Sequence, residues 1–245
     1  TALVAGSPVT AQAAPPVTLN LITVNDFHGR IERSTPSAGA AAIATAVQDF
    51  RTANANTVFA AAGDLIGAST FTSFIANDVP TIDALNAAGL EVSAVGNHEF
   101  DQGYNDLMTR VLPLANWEYV GANVKTTNGD PNLPEYWVKD MAGVKMGFIG
   151  AVTDELSSLV SPAGIANLTI QAPVTAANRV ADLLTDGNAG NGEADVIVLL
   201  VHEGAATTDI ASATDPTSRF GKIVNGASSK IDAWRMSSWT AGSAR

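Results

Sequence analysis

The chain has 245 residues, 46% of them hydrophobic and 15% charged, with a formal net charge of −11 and no cysteine. That length and apolar share allow a sizeable core and exclude a chain that is disordered throughout. The acidity argues against a nucleic-acid polymer as partner, which needs clustered Lys and Arg, and the lack of thiols excludes disulfides, zinc–thiolate sites and a cysteine nucleophile.

The first sixteen residues, Thr1 to Pro16, are small and apolar and contain Ala11-Gln12-Ala13. They read as the tail of a secretory signal cleaved after Ala13, or else as a disordered Ala/Pro-rich terminus. Val17 to Val24 is apolar and β-branched and stops at Asn25-Asp26, the mark of a buried strand. Ala38 to Phe50 predicts a helix with Ser37 as its N-cap. Thr57 to Ala62 predicts a strand stopped by Gly63-Asp64, Pro80 to Ala88 a helix ended by Gly89, and Val92 to Val95 a strand stopped by Gly96-Asn97. Asp101 to Leu112 predicts a further helix.

Strands follow over 118–121, 135–139 and 144–152, with a loop between Thr126 and Pro134. Ala172 to Leu184 has helical periodicity, Ala194 to Val201 is a fully apolar strand ending at His202, and Ser218 to Ala227 predicts a short helix. Strands alternating with helices mean an α/β fold with at least one mostly parallel sheet, here in one domain over residues 17–233. No stretch approaches the ~20 apolar residues of a membrane span. No G-x-S-x-G and no G-x-x-x-x-G-K-[ST] occurs, which disfavours a serine hydrolase and a P-loop NTPase.

Four of these strands end in residues of metal-ligand type: Asp26 and His28, Asp64, Asn97-His98-Glu99-Phe100-Asp101, and His202. Sites in α/β sheets form outside the carboxyl ends of the strands, so such clusters can converge. All three histidines of the chain lie in them. In an extended segment residues i and i+2 point the same way, so Asp26 and His28 can face one cation. Gly63 and Gly96 allow sharp turns that project the next side chain over the strand edge. Each cluster alone has a plainer reading: a turn after a strand, an Asx-turn at Asp64, a satisfied buried His202. The set in this order points to a metal site. Imidazole, carboxylate and amide oxygen together suit Zn, Mn, Fe or Co better than Ca. A carboxylate beside His98 would raise its pKa and favour the donating imidazolium.

DFH, GD, GNHE and the histidine of VLLVHEG resemble the first four motifs of the calcineurin-like metallophosphoesterase superfamily: D-x-H, G-D, G-N-H-[ED] and H. NDFHGR with GNHEFDQG resembles more narrowly its bacterial 5′-nucleotidase and UDP-sugar hydrolase family. The resemblance spans Val17 to about Ile231. It implies a four-layer α-β-β-α sandwich of two mixed sheets flanked by helices. It also implies two divalent cations, with Asp26 and His28 on the first, Asp64 bridging, and Asn97 and His202 on the second. His98, with Asp101 as its partner, would stabilise or protonate the transferring phosphoryl group. Asn97 and His98 would meet substrate, and Arg30 either touches phosphate or points into solvent. The implied activity is phosphomonoester hydrolysis of extracellular nucleotides by a secreted, periplasmic or cell-wall protein. The alternatives are 2′,3′-cyclic-nucleotide or UDP-sugar hydrolysis, or an inactive remnant.

The family pattern continues with a strand ending in G-H-x-H, expected to begin near Lys230 to Ala233. Residues 234–245 contain no histidine and show neither strand alternation nor helical periodicity. They read as an aberrant or diverged tail, which would leave a sheet edge bare, cost each cation a ligand and impair the chain.

Overall fold

A computed structural model describes residues 16–204, 207, 209 and 214–236. Ala11-Gln12-Ala13 and everything after Met236 lie outside the described residues.

Sequence alternation builds two sheets. Strands β1 (Asn20–Val24), β2 (Thr57–Ala61), β3 (Val92–Ala94) and β4 (Glu118–Val120) form a sheet in the order β1-β2-β3-β4, with every pair parallel. The second sheet runs β10-β9-β7-β6, from Ala233–Met236, Val196–His202, Val144–Val152 and Tyr136–Met141. Here β6 is antiparallel to β7, whereas β7, β9 and β10 are parallel. Only the second sheet is therefore mixed. Consecutive strand–helix units lead into β1 to β4, and such crossovers return the chain in the same direction, whereas β6 and β7 join through the two-residue hairpin turn Ala142-Gly143.

Period-2 alternation sorts the side chains between layers. Val58 and Ala60 of β2 and Val198 and Leu200 of β9 meet in one cluster with Phe148, Met146 and Val120, which is the contact between the two sheets. Phe59 and Ala61 point the other way, into a core shared with Val47 of α1 (Ala40–Ala53) and Leu85 of α3 (Val79–Ala88). Ile197, Leu199 and Val201 pack outward against Ala177, Val180 and Ala181 of α4 (Pro173–Leu183) and Ile223 of α5 (Arg219–Gly226). The layers run helix, sheet, sheet, helix. A one-turn helix, α2 (Phe71–Phe74), precedes α3, and a small antiparallel pair joins β5 (Val124–Thr126) to β8 (Leu168–Ile170).

Several expectations shift. Helix α1 starts after Gly39, not Ser37: Gly39 adopts φ 79 at the N-cap, and the Ser37 hydroxyl instead accepts from the Gly39 N–H. The helix expected from Asp101 begins at Tyr104, and Leu107–Val111 within it is π-wound. The stretch expected to lack strand character pairs as β10 with Val198 to Val201, so that edge of β9 is covered. Backbone pairing decided what side-chain alternation did not reveal.

Candidate metal centre

Because β1, β2 and β3 are parallel, their carboxyl ends lie on one side, and β7 and β9 end with Val152 opposite His202. His202 crosses between the sheets: its Nδ1 lies 2.9 Å from the carbonyl oxygen of Ala62, just past β2. The turns that follow the strands interlock. The Asp26 N–H donates to Gly63 O and the His28 N–H to Asp64 O. Gly63 has φ 86 and lies backbone to backbone against Gly96, and a side chain on Gly96 would overlap the Asp64 carboxylate. These two glycines let the turns approach closely enough to share one carboxylate.

Asp26, His28 and Asp64 themselves adopt φ 52, 45 and 53. Non-glycine residues seldom occupy this left-handed region, and strain of that kind concentrates at functional sites. The extended i, i+2 geometry expected for Asp26 and His28 is thus replaced by a turn. The turn still leaves His28 Nε2 3.9 Å from Asp26 Oδ1.

Asp64 is the centre. It is 3% exposed; its Oδ2 lies 3.1 Å from His202 Nε2 and 3.7 Å from His28 Nε2, and its Oδ1 accepts the His98 N–H at 2.9 Å. Candidate ligand atoms of Asp26, Asp64 and His202 all lie within 4.8 Å of one another, and so do those of His28, Asp64 and His98. Asp64 belongs to both groups. Of the remaining residues, Asp26 and His202 complete one group and His28 and His98 the other. Asn97 is buried at the head of the turn after β3, beside His98. Arg30 is exposed, and its backbone N–H closes a turn onto Phe27 O.

Proton positions sharpen the picture. A carbonyl oxygen only accepts, so the Ala62 contact places a hydrogen on His202 Nδ1, and the 2.8 Å contact to Gly67 O places one on His28 Nδ1. Each ring, if neutral, turns a lone pair on Nε2 toward the Asp64 carboxylate. His202 Nε2 is wholly buried and has no hydrogen-bond partner. Two facing lone pairs demand a positive charge between them: a second proton on the imidazole, or a cation. Without a cation the charge falls on His202. Burial opposes it, yet the Asp64 carboxylate pushes His202 up to about 9. Burial alone would raise Asp64, but His202, His98 and His28 hold it below the ordinary carboxylate range. The donor set fits a divalent cation: a buried imidazole nitrogen without a hydrogen bond, a second imidazole and two carboxylates converge at Asp64.

His98 Nδ1 lies 2.8 Å from Asp101 Oδ2. Burial lowers its pKa, but the hydrogen bond to Asp101 and the charge of Asp64 more than compensate and raise it.

Glu99 stands in the strand-end cluster but was given no role there. Its buried carboxylate accepts from the N–H groups of Asp64 (2.9 Å), Leu65 (2.9 Å) and Gly96 (2.6 Å), so it clips the second and third turns together. Burial first, then Asp64, pushes its pKa up to about 7 against those three donors. The signal was present, a carboxylate inside the strand-end motif, but its neighbours absorbed the chemistry.

A double sheet whose strand ends gather three imidazoles around one buried aspartate defines a class, the calcineurin-like phosphoesterases. The structure superposes on the calcineurin-like phosphoesterase YfkN of Bacillus subtilis with a TM-score of 0.67 and 25% identity, covering 89% of this chain and 71% of that one. It superposes on a 5′-nucleotidase precursor from Thermus thermophilus with a TM-score of 0.65 and 26% identity, covering 76% and 37%. In sequence the chain is 37% identical over 187 residues to the cell wall protein Lmo0130 of Listeria monocytogenes, covering 62% of this chain and 24% of that protein. It is 32% identical over 199 residues to the endonuclease YhcR of Bacillus subtilis, covering 71% and 16%. No family model matches. Within that class the chain belongs to the 5′-nucleotidase family, and it spans about a quarter or less of the length of the two curated relatives named.

Proposed function

We propose that this chain carries the metal-dependent catalytic site of an exported phosphoesterase that hydrolyses nucleotide phosphomonoesters. The observation that carries the reading is His202 Nε2, wholly buried, making no hydrogen bond and facing Asp64 Oδ2 at 3.1 Å. Two divalent cations of the Zn, Mn, Fe or Co type would be held by Asp64 as the shared ligand and by Asp26, His28, Asn97 and His202. When bound, such cations neutralise phosphoryl oxygens and make water acidic enough to attack at neutral pH.

The chain's own residues supply the rest. With Nδ1 engaged by Asp101, His98 has Nε2 left to donate a hydrogen bond or proton to a phosphoryl or leaving-group oxygen, and the carboxylate stabilises the imidazolium that does so. Asp101 fixes the ring's orientation. His202 and His28 stay in the Nδ1–H form through Ala62 O and Gly67 O, which keeps both Nε2 atoms available.

A nucleotide suits the likeness to the 5′-nucleotidase precursor from Thermus thermophilus, and a net charge of −11 disfavours a long polyanion as substrate. Export agrees with a relative named as a cell wall protein and with the Ala11-Gln12-Ala13 pattern. No helix among the described residues is long and apolar enough to cross a membrane. The test is hydrolysis by the purified chain, with Mn or Co added, of AMP, read by phosphate release, of 2′,3′-cyclic AMP and UDP-glucose, read by chromatography of the product nucleotides, and of single-stranded DNA, read by fragment length. Metal-dependent hydrolysis of AMP above the others is expected. Preference for the cyclic or sugar nucleotide, or for DNA, would move the substrate assignment, and a chain that binds no metal and hydrolyses none would end the reading.

A further inference from the structure

The loop between β2 and α2 runs under the site, and its middle residue is held from behind. Gly67 adopts φ 73, and a Cβ there would lie 2.6 Å from Asp101 Oδ2 and 2.7 Å from His98 Cβ. The Gly67 carbonyl accepts from His28 Nδ1 at 2.8 Å. One peptide segment therefore touches the proposed ligand His28 by hydrogen bond and the His98–Asp101 pair by packing. Its own N–H donates to Asp78 Oδ2 at 3.1 Å.

Asp78 is remote in sequence and buried. Its Oδ1 accepts from the Ser73 hydroxyl at 2.7 Å, and Ser73 Oγ lies 2.5 Å from Thr81 Oγ1. Asp78 adopts φ 62, and its N–H donates to Ser73 O. Ser73 also packs against Gly29, the residue after His28: a Cβ on Gly29 would lie 2.7 Å from Ser73 Cβ. Behind Asp78, Arg110 donates to the carbonyl of Asn77 at 2.7 Å. A buried carboxylate costs free energy unless every lone pair is used, and this one is spent on a loop N–H and a hydroxyl, not on an ion pair.

We propose that Asp78 is a positioning residue for the metal centre, acting through Gly67 on the imidazole of His28. This rests on the reading of His28 as a ligand. The carboxylate anchors the Ile66–Gly67 peptide by its N–H, which places the carbonyl of the following Gly67–Ala68 peptide, and that carbonyl holds hydrogen on His28 Nδ1, so that Nε2 is presented to Asp64 and Asp26 as a lone pair. Partners of this kind behind a ligating histidine are worth roughly 10–100-fold in metal affinity.

The test combines ring 15N NMR of the metal-free chain with Co(II) titration, on wild type, Asp78→Ala, Asp78→Asn and each in a His28→Ala background. Wild type should show His28 in the Nδ1–H form. Asp78→Ala should mix the tautomers and weaken Co(II) binding by about tenfold or more. Asp78→Asn, which keeps a neutral acceptor, should fall between. In the His28→Ala background the Co(II) effect of Asp78→Ala should largely vanish, which a general loss of stability would not produce. If Asp78→Ala does not fold, Asp78→Asn decides alone. Folded variants with an unshifted His28 tautomer, or an undiminished Co(II) effect without His28, would overturn the proposal. If wild type takes up no Co(II), the metal reading fails, while the tautomer measurement still judges the link between Asp78 and His28.

Discussion

Two acidic residues of this protein collect cationic partners and do so to opposite ends. Glu135 is met by Arg179 through two hydrogen bonds, at 3.1 and 2.6 Å, and by the Lys125 ammonium. Burial raises its pKa, but the bonds from Arg179 and Lys125 outweigh that and lower it. Its donors are permanently charged and bond it directly. Asp64 is ringed by three imidazoles, and two of them, His28 and His202, aim Nε2 at it while Nδ1 donates its hydrogen to a carbonyl oxygen on the far side of the ring. One cluster is closed and structural. The other turns the Nε2 atoms of His28 and His202 inward on one carboxylate, and that difference separates a binding site from an ion pair better than the number of charged neighbours does.

The sharpest way to break the comparison is at its centre. Asp64→Asn should lower metal-dependent turnover by 10³-fold or more, about 4 kcal/mol in activation free energy, as measured by phosphate release at saturating Mn. His98→Asn should lower kcat by roughly 10²–10⁴-fold, while inductively coupled plasma analysis still finds the wild-type metal content. Equal loss of metal would instead make His98 a ligand, as its place beside His28 and Asp64 allows.

Smaller effects sharpen the contrast. Glu99→Gln turns an amide N–H toward backbone donors and should destabilise the fold by ~2–3 kcal/mol, read from urea midpoints. Glu135→Gln should cost only about 1 kcal/mol, since its partners are partly exposed. The sign with pH follows from the lowered pKa. The wild-type advantage is fully present above the ordinary value of 4.5, fades as pH falls through the lower folded-state value, and disappears below it. Parallel melts of both proteins from pH 7 to pH 2 check this.

The strand ends were legible because two signals coincided there, an apolar run and a polar stop. Val17 to Val24 before Asn25-Asp26, and Ala194 to Val201 before His202, name both the strand and the residue it presents. What was not legible depends on partners distant in sequence. The pair β5–β8 consists of three-residue strands, Val124, Lys125 and Thr126 lying opposite Ile170, Thr169 and Leu168, and no local alternation reveals it. The left-handed turns at Asp26 and His28 follow from hydrogen bonds to Gly63 and Asp64, so residues read as extended neighbours are regrouped around Asp64. Asp78 works through the Gly67 N–H and the Ser73 hydroxyl, and an acceptor of that kind leaves no residue-type pattern to find. The Ser37 cap failed because its hydroxyl closes a local turn on Gly39, a competition common to short polar side chains.

The most direct test of the central claim is anomalous diffraction from crystals grown with Mn or Co. Two peaks flanking the Asp64 carboxylate, within bonding distance of Asp26, His28, Asn97 and His202, are the predicted result. Crystals that take up the metal elsewhere, with His202 Nε2 still facing Asp64 and nothing between them, would contradict it.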